Sequence, residues 1–282
     1  MSRADLRLTQ VAKIPKSALI KLSSPQTREY WEIPVLYEDE HLLALDKPAC
    51  LLTSPDRYDP QRPNLMRLLH DAIAQKKPWA TERGLDYLMN AHRLDFETTG
   101  ILLLAKSKPV LVALANLFST ARPNKLYHAL VHGVPEETTW EIDAPIAPHP
   151  FQTGLMRVDR KHGKHAATRF EVMEQYRNHA LILCQPFTGR THQIRVHLRH
   201  CGHPICGDSL YGGTPIYLSA LKPNYRLRPG HTERPLIATV ALHAAQLEFP
   251  HPITGVQVII KSEWPRDFAV AVKYLRRHAA IV

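Results

Sequence analysis

Period-two apolar runs bounded by polar turns, with a few amphipathic helical stretches between them, agree with an α+β fold. With 282 residues, 44% of them hydrophobic, the chain can bury the core of one large domain or two small ones. These patterns fit α+β without singling out one architecture. A formal charge of +10 points to a polyanionic partner, although a basic surface that aids solubility explains the charge equally well.

Residues 1–33 show weak periodicity and read as an N-terminal arm or a poorly ordered start. From residue 34 the signal sharpens. Val35–Tyr37 and Leu42–Leu45 flank the polar Glu38-Asp39-Glu40-His41 and predict a hairpin, which Asp46-Lys47-Pro48 ends. The proline-rich stretch 53–63 is a loop. Asn64 can cap a helix that buries Leu65, Leu68, Leu69 and Ala72. An apolar strand follows at 101–105. Ser107 can cap the next helix, with Pro109 tolerated in its first turn and Leu111, Ala115 and Phe118 facing inward.

Tyr127, Ala129 and Val131 alternate as on a strand. Residues 157–169 concentrate Arg157, Arg160, Lys161, Lys164 and Arg169 around Gly163, a basic loop or hairpin suited to phosphates; a solvated charge run is the plain alternative. Strands are expected over 168–176 and 179–186. Thr191 can cap a helix whose apolar face is Ile194, Leu198 and Cys201, ended by Gly202. His192, Arg195 and Arg199 share another face, with Arg195 in the first turn, where free backbone N–H groups suit an anion. Residues 213–235 read as a mobile basic insertion. Strands resume at 241–249 and 256–260. Pro265 opens a last helix with Phe268, Val272 and Leu275 inward.

Several chemistries find no support. No apolar run reaches the ~20 residues a spanning helix needs, and residues 1–9 lack a signal-peptide core, so a soluble cytoplasmic protein is expected. Cys50, Cys184, Cys201 and Cys206 form no C-x-x-C pair and read as small reduced hydrophobes. His192, His197, His200 and His203 lack metal-ligand spacing, and no metal is expected there. A zinc deaminase would need H-x-E followed by P-C-x-x-C, and the chain has no P-C-x-x-C.

The densest chemistry lies at His92-Arg93-Leu94-Asp95-Phe96-Glu97-Thr98-Thr99-Gly100, an acid beside an arginine on a turn into a strand. Alone, it reads as well as a capping aspartate and a solvated arginine. Taken with Lys125-x-Tyr127-x-Ala129, Gly189-Arg-Thr-His-Gln-Ile-Arg195, Gly202-His-Pro-Ile-x-Gly-Asp208, Leu242-His243-Ala244 and the early Asp46-Lys47-Pro48, it resembles the RluA-type family of RNA pseudouridine synthases. The resemblance runs from about residue 34 to the C-terminus. Thr99 stands where the family usually has Ser, and Cys50 where it has Gly, which puts the local turn at Cys50 in question.

The resemblance implies an α+β fold with a long, mostly antiparallel mixed sheet, a central catalytic cleft and flanking helices. One catalytic domain is expected over 34–282, with the 213–235 insertion. The resemblance implies an RNA substrate, ribosomal favoured and transfer RNA second, and no cofactor or metal. It implies Asp95 as nucleophile, Arg195 as its basic partner, and Tyr127 as the aromatic that stacks on uracil. Arg93 would fill the space left by a flipped base. His92, Arg190 and His192, within the matched motifs, are assigned to RNA binding. Lys161 and Lys164 join them on charge alone. Without the separate N-terminal RNA-binding module of many relatives, the catalytic domain itself is expected to capture substrate, as a monomer. The rival reading is a binding module of this fold without catalysis, against which the joint presence of Asp95, Tyr127 and Arg195 argues.

Overall fold

The computed structural model describes residues 19–56, 59–120, 123–227 and 230–281. The strands in chain order are β1 (Leu19–Ser24), β2 (Glu29–Glu38), β3 (Leu42–Lys47), β4 (Met89–Asn90), β5 (Thr99–Ala105), β6 (Asn124–His132), β7 (Thr139–Asp143), β8 (Ile146–Pro148), β9 (Met156–Val158), β10 (Ala167–Tyr176), β11 (His179–Pro186), β12 (Leu242–Pro250) and β13 (Gln257–Lys261). The helices are α1 (Leu65–Ala74), α2 (Pro78–Thr81), α3 (Lys108–Ser119), α4 (Gln193–His200), α5 (Leu218–Leu221) and α6 (Arg266–His278). The chain expected as one catalytic domain divides into two compact units. The first runs to Lys125 and adds Ala244–Glu263; the second is Leu126–His243 with the segment from Trp264.

In the first unit the sheet order is β1-β2-β3-β5-β12, with β4 on β5 and β13 on β12. Strand β5 is buried along its whole length, as a continuous apolar run predicts for a strand covered on both faces. Its alternation divides the core. Leu102 and Leu104 join Leu43, Leu45 and the buried face of α1; Ile101, Leu103 and Ala105 join Leu42, Ala44 and Val110 and Leu114 of α3. Each fully buried leucine contributes about 1.5–3 kcal/mol. Asn64 caps α1 as expected, its Oδ1 accepting the Arg67 N–H at 2.9 Å. Helix α3 starts where Ser107 predicts. Leu111 and Phe118 pack on the core as expected, beside the buried Val110 and Leu114, while Ala115 is exposed.

Of the expected arm, residues 1–18 lie outside the described residues. Residues 19–33 are no arm: β1 pairs antiparallel with β2 from Leu19↔Pro34 to Ser24↔Glu29. Ile20, Leu22 and Ile33 enter the core, which offsets the entropy of ordering this edge hairpin. Its alternation is short and interrupted by charge, so the sequence signal is weak.

The second unit carries the antiparallel order β6-β11-β10-β7. Helices α4 and α6 cover it through Ile194, Leu198, Phe268, Val272 and Leu275. The basic stretch opens with the β8–β9 hairpin and then a turn built on Asp159. Residues 213–235, read as a mobile insertion, are tied down at both ends: Ile216 bridges Ile237, and both join the core with Leu221. Lys222 and Arg226 are exposed, and Arg228 lies outside the described residues.

Candidate active site

In the first unit, the loop bearing Asp95 is pinned at almost every neighbouring backbone group. Asn90 Nδ2 donates to His92 O at 2.9 Å. Thr53 Oγ1 accepts the Leu94 N–H at 3.2 Å and donates to Leu94 O at 2.9 Å. Lys47 Nζ donates to Phe96 O at 3.2 Å, and the Arg62 guanidinium lies 3.9 Å from the Phe96 ring centre. Gly100 follows with φ +103°, where a side-chain carbon would run into the Ala244 carbonyl; only glycine lets β5 start so close to β12. Asp95 itself is half-buried. Rigid flanks of this kind hold a reactive carboxylate in one place.

Lys47 is the other half of this construction. It is fully buried, and its three ammonium protons go to the carbonyls of Pro48 (2.8 Å), Leu51 (2.7 Å) and Phe96. Burial pulls its pKa down to about 7, while the Asp95 charge nearby favours the ammonium form. The sequence marks Lys47 only as the end of a strand. Cys50, between two of those carbonyls, takes φ +58°; the turn that normally suits glycine is kept, with the sulfur side chain exposed.

In the second unit, Arg195 is buried and bidentate to Asp208, with Nε–Oδ2 at 2.7 Å and Nη2–Oδ1 at 2.8 Å. Its guanidinium also lies 5.0 Å from the Tyr211 ring centre. The two side chains are about 7% and 1% exposed, so this is a desolvated fork–fork pair. Arg195 is the third residue of α4, as expected. The cap differs. His192, not Thr191, occupies the N-cap in a left-handed conformation, φ +55°. Gln193 organises the turn instead: its Oε1 accepts from Thr188 Oγ1 and the Arg190 N–H, and its Nε2 donates to Ala167 O and Thr168 Oγ1. Tyr127 stands half-buried on β6, opposite Cys184 and packed on the core's edge.

Not every residue assigned to RNA turns outward. His92 Nε2 accepts the Leu103 N–H at 3.1 Å and its ring stacks on Phe118, so it frames the loop. Burial pushes its pKa down to about 4, with Lys125 adding to the shift. His192 shares a hydrogen bond of 2.8 Å with the Tyr211 hydroxyl. Arg93, Arg190, Lys161 and Lys164 are exposed. Arg190 spends its Nε–H on His165 O. Asp159 Oδ1 accepts the backbone N–H of Lys161 and His162, which lowers its pKa and presents the two lysines on a fixed turn. In the sequence Asp208 closes a motif without a role of its own; the need of a buried Arg195 for a partner is what gives it one.

Two outcomes follow from these contacts. Asp208→Ala leaves a buried guanidinium unpaired and should cost roughly 3–5 kcal/mol in urea denaturation. His92 must be neutral to accept the Leu103 N–H. Its unfolded pKa near 6.5 drops to about 4 on folding, so its stabilisation is complete above about pH 6.5 and is lost as pH falls towards 4. The stability gap between wild type and His92→Gln should therefore narrow between about pH 7.5 and pH 4.5, by up to about 3 kcal/mol; a constant gap would contradict this role.

The family described as RNA pseudouridylate synthase matches residues 41–200, a span that holds Asp95, Tyr127 and Arg195. A ribosomal large subunit pseudouridine synthase D from Pseudomonas aeruginosa is 36% identical over 251 residues, covering 87% of this chain and 72% of that one. Its namesake from Zymomonas mobilis is 35% identical over 262 residues, covering 91% and 77%. Among solved structures, Human RNA Pseudouridylate Synthase Domain Containing 4 aligns with a TM-score of 0.64 at 25% identity, over 86% of this chain and 92% of that one. The chain belongs to the RNA pseudouridylate synthase family, within its RluA-type branch, and is an RNA pseudouridine synthase.

Proposed function

We propose that this isomerase acts on ribosomal RNA of the large subunit, with Asp95 as its nucleophile. The relatives named for that substrate carry the first half: the match extends over most of both chains. The pinned loop supports the second, since the residues on either side of Asp95 are held by Thr53, Lys47 and Asn90. The reaction exchanges one glycosidic bond for another. The bond from uridine N1 to ribose C1′ breaks, the uracil turns over, C5 bonds to C1′, and the C5 proton leaves while N1 gains one. No group departs and no electrons are exchanged.

In this scheme an ionised Asp95 supplies the attack on the sugar. Arg195, its basic partner, is oriented by Asp208 so that its charge is fixed in direction as well as in place. Tyr127 offers a flat face to uracil and a hydroxyl for the C5 proton. Flipping the target nucleotide costs a few kcal/mol, and the exposed Arg93 would occupy the vacated stack. Lys161 and Lys164 bind backbone phosphates from their ordered turn. His92 and His192 serve as supports for this machinery. Among the described residues no helix is long and apolar enough to cross a membrane; the proposed setting is a cytoplasmic monomer on RNA.

Pseudouridine mapping of cellular RNA with and without the gene tests the substrate. A large-subunit site should vanish, returning with wild-type protein but not with Asp95→Asn. Loss confined to transfer RNA would move the substrate, and full activity of Asp95→Asn would end the nucleophile assignment. The Asp95→Asn protein should still bind RNA. Replacing Lys161 and Lys164 with Gln should flatten the dependence of log K on log salt by about 0.7–0.9 for each phosphate that is no longer neutralised. An unchanged slope would remove both lysines from the interface.

A further inference from the structure

Away from the proposed catalytic residues, the second unit gathers three metal-binding side chains. His132 on β6 and His179 on β11 are direct cross-strand partners, with ring centres 5.1 Å apart. Cys206 joins them from the segment that bridges β6 through Val131↔Ile205. One ligand atom from each of the three lies within 4.8 Å of the others. We propose that His132, His179 and Cys206 form a binding site for a borderline-soft divalent transition ion, zinc above all, which ties β6, β11 and the 204–208 segment together.

Three further observations support the site. His179 Nδ1 is buried without a hydrogen-bond partner, a cost of about 1–3 kcal/mol that a coordinated metal would remove. His132 Nε2 lies against the Thr214 backbone, 2.9 Å from its carbonyl oxygen and 3.1 Å from its nitrogen, so it can donate to the one or accept from the other. A backbone contact of this kind orients metal-bound imidazoles and leaves the other nitrogen for the ion. Finally, a cleft of about 230 Å³ is lined by His132, His179, Thr214, Tyr217 and His278. It reaches the two imidazoles, while Cys206 is buried and not part of its lining; three protein donors leave a fourth position for water.

The donor chemistry suits zinc. Two imidazoles and a thiolate are a common set for it, at about 2.0–2.1 Å for nitrogen and 2.3 Å for sulfur. Tetrahedral ligands at those lengths stand roughly 3.3–3.8 Å apart, so rotamer adjustments of about 1 Å close the site. Binding would convert the Cys206 S–H to a thiolate–metal bond and release one proton to solvent, while the two imidazoles donate lone pairs without losing protons. Burial raises the pKa of the Cys206 thiol, and burial together with the charge of the neighbouring His132 lowers that of His179. Position gives the site its consequence. His132 shares β6 with Tyr127, and Cys206 lies two residues before Asp208, which holds Arg195. Zinc would therefore stiffen the elements that carry both side chains, as a structural ion outside the reaction.

The test uses the full chain, stripped with chelator and then given zinc or cobalt chloride alone. One zinc per chain should survive desalting, and zinc should raise the melting temperature. Cobalt should give the intense visible absorption of a tetrahedral site together with a thiolate charge-transfer band. Cys206→Ser should abolish that band and weaken zinc retention by about tenfold or more. His179→Gln should weaken retention while keeping the thiolate, and Cys201→Ser, in the same unit, should change neither. Failure to retain zinc, a weak octahedral cobalt spectrum, or equal loss in Cys201→Ser would overturn the site. Pseudouridine formation by the stripped enzyme is a separate readout, and its presence or absence leaves the metal result intact.

Discussion

A single buried ammonium ties the loop of Asp95 to the turn after β3. Lys47 has no contact with water, and isolating such an ion costs several kcal/mol unless its protons are satisfied. Three carbonyls satisfy them, two from the turn after β3 and one from Phe96, immediately beyond Asp95. The lysine thus joins two segments far apart in sequence, and neither can move without exposing an unpaired charge. A hydrophobic side chain of the same size would fill the space but leave those three carbonyls unsatisfied. It would also withdraw the positive charge that lies near Asp95.

Arg195 is fixed by a different chemistry for a related end. A free guanidinium on a helix would sample many rotamers; the two-point contact with Asp208 selects one. The pair is neutral overall, so it can be buried where a lone arginine could not, and its geometry is good enough for attraction to repay desolvation. The Tyr211 ring packs against the same guanidinium, and Tyr211 in turn bonds His192 and the Met156 N–H. Orientation of one side chain thereby rests on a network that begins at the N-cap of α4 and ends in the β8–β9 hairpin.

Local chemistry was legible in the sequence where one residue settles it. Asn64 caps α1, Pro265 opens α6, and the strands 167–176 and 179–186 fall within a residue of expectation. Motif order made the family legible. What stayed hidden depends on tertiary partners. On α3, Val110 and Leu114 are the most buried residues and Ala115 is exposed, a distinction that only the neighbouring strand makes. The β1 hairpin hid because its burial is supplied by α1. Lys47 looked like a strand end, since no local pattern distinguishes a solvated lysine from one capped by carbonyls. The bonds of His92 to the Leu103 N–H and of His192 to the Tyr211 hydroxyl depend on tertiary neighbours in the same way.

These contacts also decide what the positive charge of the chain is for. A formal +10 invites the idea that every cation draws RNA, but the cations divide by environment. Lys47 and Arg195 are buried and neutralised by dipoles or a carboxylate; they act over a few ångströms and add little to the outer field. Arg157 is already paired with Asp159 at 2.7 Å. Lys161 and Lys164 differ: they are exposed, and Asp159 is committed to the backbone N–H of Lys161 and His162 as well as to Arg157. The acid therefore shapes the turn without claiming either lysine. Exposed charges on an ordered turn lose less entropy on binding phosphate than charges on a loose loop. Salt therefore screens the exposed lysines far more than the buried contacts of Lys47 and Arg195.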